Sequence, residues 1–197
     1  MLRIIQIGLG PLGRRVLEDL ADRGLGHVVG AVDTDPELVG RELADIVSGF
    51  GEGVRVAPSI EELGDTQRAN CAVVTTGSAL ESCRETFVAL IERGIATVSS
   101  CEELAWPWLG HPVLAAELHE RCVRGGTRLL GTGVNPGFVM DALPVMVSGV
   151  CRAVRGVEVW RVQDASSRRI PFQRKIGATL DLETFEARRK DGSLRHV

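Results

Sequence analysis

An α/β fold, a parallel sheet wound on both faces by helices, is predicted by three features of this sequence. Short apolar runs alternate with segments of helical period along the first 150 residues. The first run, Ile4, Ile5 and Ile7, passes directly into Gly8-Leu9-Gly10-Pro11-Leu12-Gly13, a G-x-G-x-x-G at a strand-to-helix turn. The second run, Val28 to Val32, stops at Asp33, 20 residues beyond Gly13. Strand, glycine turn, helix, strand and terminal acid in this order specify a Rossmann-type doubly wound sheet, whereas the glycines alone would be weak evidence.

Each part of that unit has a physical reason. Gly8 permits the tight turn, Gly10 lets backbone N–H groups approach a diphosphate, and Gly13 lets the helix pack closely on its strand. Pro11 suits the first helical turn, where its missing N–H is not needed. Leu12, Val16 and Leu20 repeat at helical spacing, and Gly24 can end the helix. The helix N-terminus brings partial positive charge to the turn, and the Asp33 carboxylate can accept hydrogen bonds from a ribose diol. Thr34 follows Asp33, so no cation is offered there to a 2′-phosphate. The expected cofactor is therefore NAD, with NADP as the alternative.

Composition narrows the class. Of 197 residues, 44% are hydrophobic and 25% charged, as in a soluble globular protein, and no apolar run approaches the ~20 residues that span a bilayer. The N-terminus enters the first strand without a signal-peptide layout, so a cytoplasmic location and no membrane partner are expected. Cys71, Cys83, Cys101, Cys122 and Cys151 are odd in number and form no C-x-x-C pair, so neither a metal site nor a disulfide framework is expected. Residues 1–150 hold 12 Lys/Arg against 20 Asp/Glu, and residues 151–197 hold 11 against 6. The basic residues of the second stretch are scattered and poor in aromatic neighbours. This argues against nucleic acid and for a domain change. The division expected is a dinucleotide-binding domain over 1–150 and, over 151–197, the incomplete beginning of a second, α+β substrate or oligomerisation domain.

The remaining elements follow in order. Pro36 opens a predicted helix with Val39, Leu43, Ile46 and Val47 on one face, closed by Gly49, and Val54 to Val56 is a short strand. Ser59 and Glu62 match a capping box for a brief helix. Cys71 to Val74 is a buried strand ending in Thr75-Thr76-Gly77-Ser78, small residues at a carboxyl end, where open α/β sheets bind ligands. Ser78 can cap the helix whose inward face is Leu80, Cys83, Phe87, Leu90 and Ile91. Ile95 to Val98 is a strand running into Ser99-Ser100-Cys101-Glu102-Glu103, followed by Trp106 and Trp108. Two acids beside tryptophans at a sheet edge are candidates for ligand chemistry, against the plainer role of helix-start carboxylates. Val113 to Arg124 is an amphipathic helix, and Thr127 to Leu130 a sixth strand leading to Gly131-Thr132-Gly133-Val134-Asn135-Pro136-Gly137-Phe138. Asn135 can cap a helix beginning at Pro136, Pro144 should kink the apolar helix that follows, and Cys151 to Val162 reads as a long strand of another layer.

Two stretches, Gly131 through Asp141 and, beyond Val162, Asp164-Ala165-Ser166 through Gly177, resemble the 2,4-diaminopentanoate dehydrogenases and related native amine dehydrogenases, whose N-terminal domain is like that of dihydrodipicolinate reductase. The likeness runs from Gly8 to about Gly177. It implies an NAD(P)-dependent enzyme acting on a CH–NH2 group, deaminating an amine or diamino acid oxidatively to the ketone or running the reductive amination. It also matches Ser100 to Leu104 with the segment that supplies a catalytic glutamate, Glu102 better than Glu103. Relatives of this kind continue past the position of Val197, so the resemblance implies a chain truncated within its second domain. The His-His-x-x-Lys segment of true dihydrodipicolinate reductases is absent, which argues against that substrate.

The expected site follows. Glu102, with Glu103 in reserve, would take the proton of the amine and oppose the positive charge that develops on nitrogen. Gly8, Leu9, Gly10, Pro11, Leu12, Gly13, Asp33, Thr75, Thr76, Gly77, Ser78, Asn135 and Pro136 would hold the cofactor. Phe138, Arg168 and Arg169 would meet the substrate, the arginines as partners of a carboxylate. A small-molecule amine or amino acid is the expected partner, in a homodimer or larger homo-oligomer. Two other readings stay open: another Rossmann dehydrogenase, of aspartate or homoserine dehydrogenase type, and a non-catalytic NAD-binding module.

Overall fold

Six parallel strands carry the fold in the computed structural model, which describes residues 1–64, 69–166 and 170–194. Strand β1 (Leu2–Ile7) leads through the glycine turn into helix α1 (Pro11–Asp22), and β2 (Gly26–Val32) returns parallel beside β1. After β3 (Val56–Ala57) the chain crosses to the other side of β1. There β4 (Cys71–Val74), helix α2 (Leu80–Glu92), β5 (Ala96–Ser99), helices α3 (Pro107–Gly110) and α4 (Pro112–Gly125) and β6 (Leu129–Gly131) follow. The order across the sheet is β3-β2-β1-β4-β5-β6. Strand order thus reverses between β1 and β4, the crevice where doubly wound sheets bind ligands.

Strands buried on both faces need apolar residues on both, and two clusters supply the core. Ile5, Ile7, Ala72 and Val74 pack with Leu80, Phe87 and Leu90 of α2 and Leu114 and Leu118 of α4. Leu9, Leu17 of α1, Val28, Ala31, Leu43 and Val47 form the other. The predicted inward face of α2 is buried in full. On α1 the buried residues are Gly13 and Leu17, while Leu12 is exposed, because the close approach at Gly13 turns Leu12 outward.

Several expected elements differ. The helix expected from Pro36 is a series of turns with one short 3-10 segment, Leu43–Asp45. Gly40 sits at φ +82° and Glu42 bridges to Arg55, which interrupts any helix while still burying Leu38, Leu43 and Val47. Ser59 Oγ accepts from the Glu62 N–H at 3.3 Å as a capping box requires, but only a turn follows. Val134–Ala142 is a wide turn in which Asn135 and Pro136 are extended and Gly137 has φ +125°. Asn135 therefore caps nothing; Asp141 Oδ2 accepts from the Gly137 N–H instead, at 2.6 Å. Pro144 stands in the first turn of α5 (Leu143–Ser148), where proline is tolerated. Cys151 to Val162 has no ladder partner among the described residues, and without one an alternating apolar pattern does not make a strand.

The chain divides into two compact units, Met1–Arg155 and Gly156–Val197. The second contains α6 (Ile170–Lys175) and α7 (Leu182–Lys190), the latter capped by Asp181, whose carboxylate accepts from the Thr184 N–H at 2.8 Å. Among the described residues no helix is long and apolar enough to cross a membrane.

Candidate active site

Strand register brings the candidate residues to one edge. Across the sheet Ala57 pairs with Val32, Val32 with Ile7, Ile7 with Val74, Val74 with Ser99, and Ser99 with Gly131. The residues that follow these six, among them Asp33, Gly8, Thr75 and Ser100, therefore leave the sheet at one level. A cleft of about 790 Å³ opens there, lined by Gly8, Gly10, Asp33, Thr34, Thr75 and Thr76.

The glycine turn is built from inside the chain. Gly8, at φ +91°, donates its N–H to Val32 O at 2.9 Å, and its carbonyl accepts from Gln6 Nε2 at 2.8 Å and Thr75 Oγ1 at 2.9 Å. A Cβ on Gly13 would stand 2.0 Å from Gly8 O and 2.7 Å from Thr75 Oγ1, so helix and turn touch backbone to backbone. A Cβ on Gly10 would meet nothing within 4 Å, which leaves the mouth of α1 open to the cleft. Leu9 is buried; its N–H donates to Asp33 Oδ2 at 2.5 Å and its carbonyl accepts from Arg14 Nε at 2.7 Å. Asp33 Oδ1 accepts from the Asp35 N–H at 2.9 Å. An open helix N-terminus, flanked by an acid whose orientation the backbone sets, fits a dinucleotide: diphosphate at Gly10, ribose at Asp33.

The two glutamates stand on a 3-10 turn, Glu102–Leu104, just past β5. The Ser100 N–H donates to Val74 O at 3.0 Å, which fastens the start of this segment beside the Thr75–Ser78 loop. Glu103 Oε2 accepts from the Leu80 N–H at 2.8 Å and lies 3.0 Å from His111 Nε2. The cap of α2 is therefore Glu103 and not Ser78, because the N-cap position belongs to Ala79, which has no side chain to offer. Cys101 is buried and donates to Ser78 O at 3.2 Å; the neighbouring Cys83 sulfur, with burial, pushes its ionisation well up, so it stays a thiol. Trp106 is exposed, and Trp108 meets His119 edge-on at 5.7 Å.

The loop carrying Asn135, Pro136 and Phe138 leaves β6 beside the glutamate turn. A Cβ on Gly131 would lie 2.5 Å from the Leu104 carbonyl carbon, and Phe138 is half exposed. Arg168 and Arg169 lie outside the described residues. Pattern reading missed Gln6, His111 and the Pro58–Ile60 and Glu85–Thr86 walls of the cleft. The signal for Pro58 was its place after a strand end, and for Gln6 its polarity inside the apolar run Ile4 to Ile7.

No protein-family profile matches the chain. The 2,4-diaminopentanoate dehydrogenase of Acetoanaerobium sticklandii is 28% identical over 196 residues, covering 98% of this chain and 55% of that protein. The chain thus spans about half the length of the curated relative it matches. The structure of amine dehydrogenase from Mycobacterium smegmatis superposes with a TM-score of 0.69 at 29% identity, over 77% of this chain and 45% of that one. The WlbA dehydrogenase from Bordetella pertussis, solved with NADH and UDP-GlcNAcA, shares the fold with a TM-score of 0.50 at 20% identity, over 66% of this chain and 34% of that one. In sequence and in fold, then, this chain is similar to 2,4-diaminopentanoate dehydrogenase and amine dehydrogenase, the resemblance its Gly131–Asp141 and Asp164–Gly177 segments pointed to.

Proposed function

We propose that this chain is the dinucleotide-binding part of an NAD(P)-dependent oxidoreductase that deaminates an amine or diamino acid to the ketone, or runs the reverse reductive amination. The observation that carries the reading is its 28% identity, over 98% of its length, to a 2,4-diaminopentanoate dehydrogenase. The level sheet edge supports it. Gly8 to Gly13 would hold the diphosphate, Asp33 the adenosine ribose, Thr75 to Ser78 the centre of the cofactor, and Asn135 and Pro136 its far end. NADH bound to the WlbA dehydrogenase on this fold is consistent with that use of the cleft. NAD is preferred over NADP, because Asp33 would face a 2′-phosphate with like charge.

When bound, nicotinamide supplies the redox chemistry by accepting hydride from the carbon that bears nitrogen. The chain's own part is protonic and electrostatic. Glu102 takes a proton from the substrate ammonium so that nitrogen carries a lone pair, passes that proton to solvent, and as a carboxylate again opposes the positive charge that grows on nitrogen. It next deprotonates the water that adds to carbon, and returns a proton to the departing ammonia. Phe138 would pack against the substrate, and Arg168 and Arg169 would bind a carboxylate. Residues 1–150 would act as the dinucleotide domain, and 151–197 would belong to a substrate or oligomerisation domain of a homo-oligomer. A screen of amines and diamino acids that follows NADH appearance tests the reading: turnover with an amine is expected. Turnover confined to hydroxy acids or aldehydes would overturn it.

A further inference from the structure

We infer that the two glutamates divide their work: Glu103 is a positioning residue that holds the segment from which Glu102 acts, and is not itself the proton carrier. The inference rests on the amine-oxidising reading and deepens it. Helix α2 begins at Leu80 after Ala79, with no cap from its own sequence. An uncapped N-terminus leaves orphan N–H groups and unopposed positive charge, and one carboxylate satisfies both. Glu103 supplies it from another element, Oε2 accepting from the Leu80 N–H at 2.8 Å. The same oxygen lies 3.0 Å from Nε2 of His111, the residue that precedes α4, and His111 Nδ1 is 3.9 Å from Glu81 Oε1. The Glu103 N–H and Cys101 Sγ–H both donate to Ser78 O, at 3.1 and 3.2 Å.

Glu103 is thus tied through backbone and side chain to the start of α2, and through His111 to α4. Swinging toward a substrate would uncap α2 and break the contact with His111. Glu102 precedes it in the same 3-10 turn, so these bonds fix where Glu102 stands. A displacement of about 1 Å at a reacting group can cost ~10²-fold in rate.

Three variants of the full chain test the division by amine-dependent NADH formation. Glu102→Gln should lose ~10²–10⁴-fold in kcat. Glu103→Gln keeps a carbonyl oxygen able to accept from both Leu80 and His111, and should lose less than about tenfold. Glu103→Ala keeps no acceptor and should lose more than about tenfold in kcat, with KM for NAD within about twofold, since the glycine turn and Asp33 are untouched. A fall in Glu103→Gln as deep as in Glu102→Gln would overturn the assignment. Amide exchange supplies an arm independent of turnover: in Glu103→Ala the Leu80 N–H should exchange at least about tenfold faster relative to amides inside α2. An unchanged Leu80 rate overturns the brace. If no amine is oxidised by the unaltered chain, the functional reading falls while exchange still decides whether Glu103 holds α2.

Discussion

Asp33 accepts backbone hydrogen bonds from Leu9 and Asp35, so its carboxylate is aimed by the chain and not by a ligand. On the proposed use of the cleft, that orientation would make its charge the discriminating feature between cofactors. Asp33→Asn retains an acceptor for Leu9 but removes the charge, and should narrow the preference for NAD over NADP by roughly 1–2 kcal/mol. Calorimetric titration of both cofactors measures it, and a preference that does not move would show that Thr34 or the cleft wall sets the choice. Gly10 and Gly13 separate binding from folding. A Cβ on Gly10 meets open space, so Gly10→Ala should fold with stability changed by less than about 0.5 kcal/mol while its methyl blocks the diphosphate. A Cβ on Gly13 meets Gly8 O at 2.0 Å, so Gly13→Ala should destabilise by ~1–3 kcal/mol. Urea unfolding beside NAD titration distinguishes the two, and equal behaviour of both variants would contradict this account of the turn.

Helix α2 is the element on which both the core and the site lean. Phe87 is fully buried at the centre of its inward face, in a cluster with residues of β1, β2 and β4. Phe87→Ala should cost ~3–5 kcal/mol by denaturant titration. Its apolar stripe was legible because a 3.6-residue period needs only one face to be read. Its cap was not, since Glu103 lies 23 residues downstream of Leu80 and no local spacing couples them. The turns at 36–49 misled for a related reason. Leu38, Leu43 and Val47 are buried, so the apolar spacing is real, but it is served by turns stapled to β3 by the bonds of Gly40 and Arg41 with Val56, and to Val54 just before it by Leu43.

For the whole molecule, a ligand that binds only the folded state stabilises it by mass action, by ~2.7 kcal/mol at a hundred times its dissociation constant. Adding NAD should therefore raise the unfolding midpoint of the Met1–Arg155 unit, and no rise at saturating NAD would remove the cofactor reading. In the Gly156–Val197 unit Trp160 is 80% exposed and Val162 92%. Apolar side chains this open favour association, so sedimentation should show mass rising with protein concentration. A monomer across that range would refute it.

By itself the sequence determined the parallel sheet, the glycine turn, the Asp33 terminus and the inward face of α2, because each is a local pattern with a local physical cause. The resemblance to amine dehydrogenases was legible in the same way, in contiguous runs of residues. Tertiary structure alone decided that six strand ends fall at one level, that Gln6 and Thr75 hold Gly8 from below, and that Glu103 and not Ser78 caps α2. It also decided that Cys151 to Val162 forms no strand among the described residues. Register, capping from a distant element and strand pairing are contacts between residues far apart in the chain, and no periodicity within either partner encodes them.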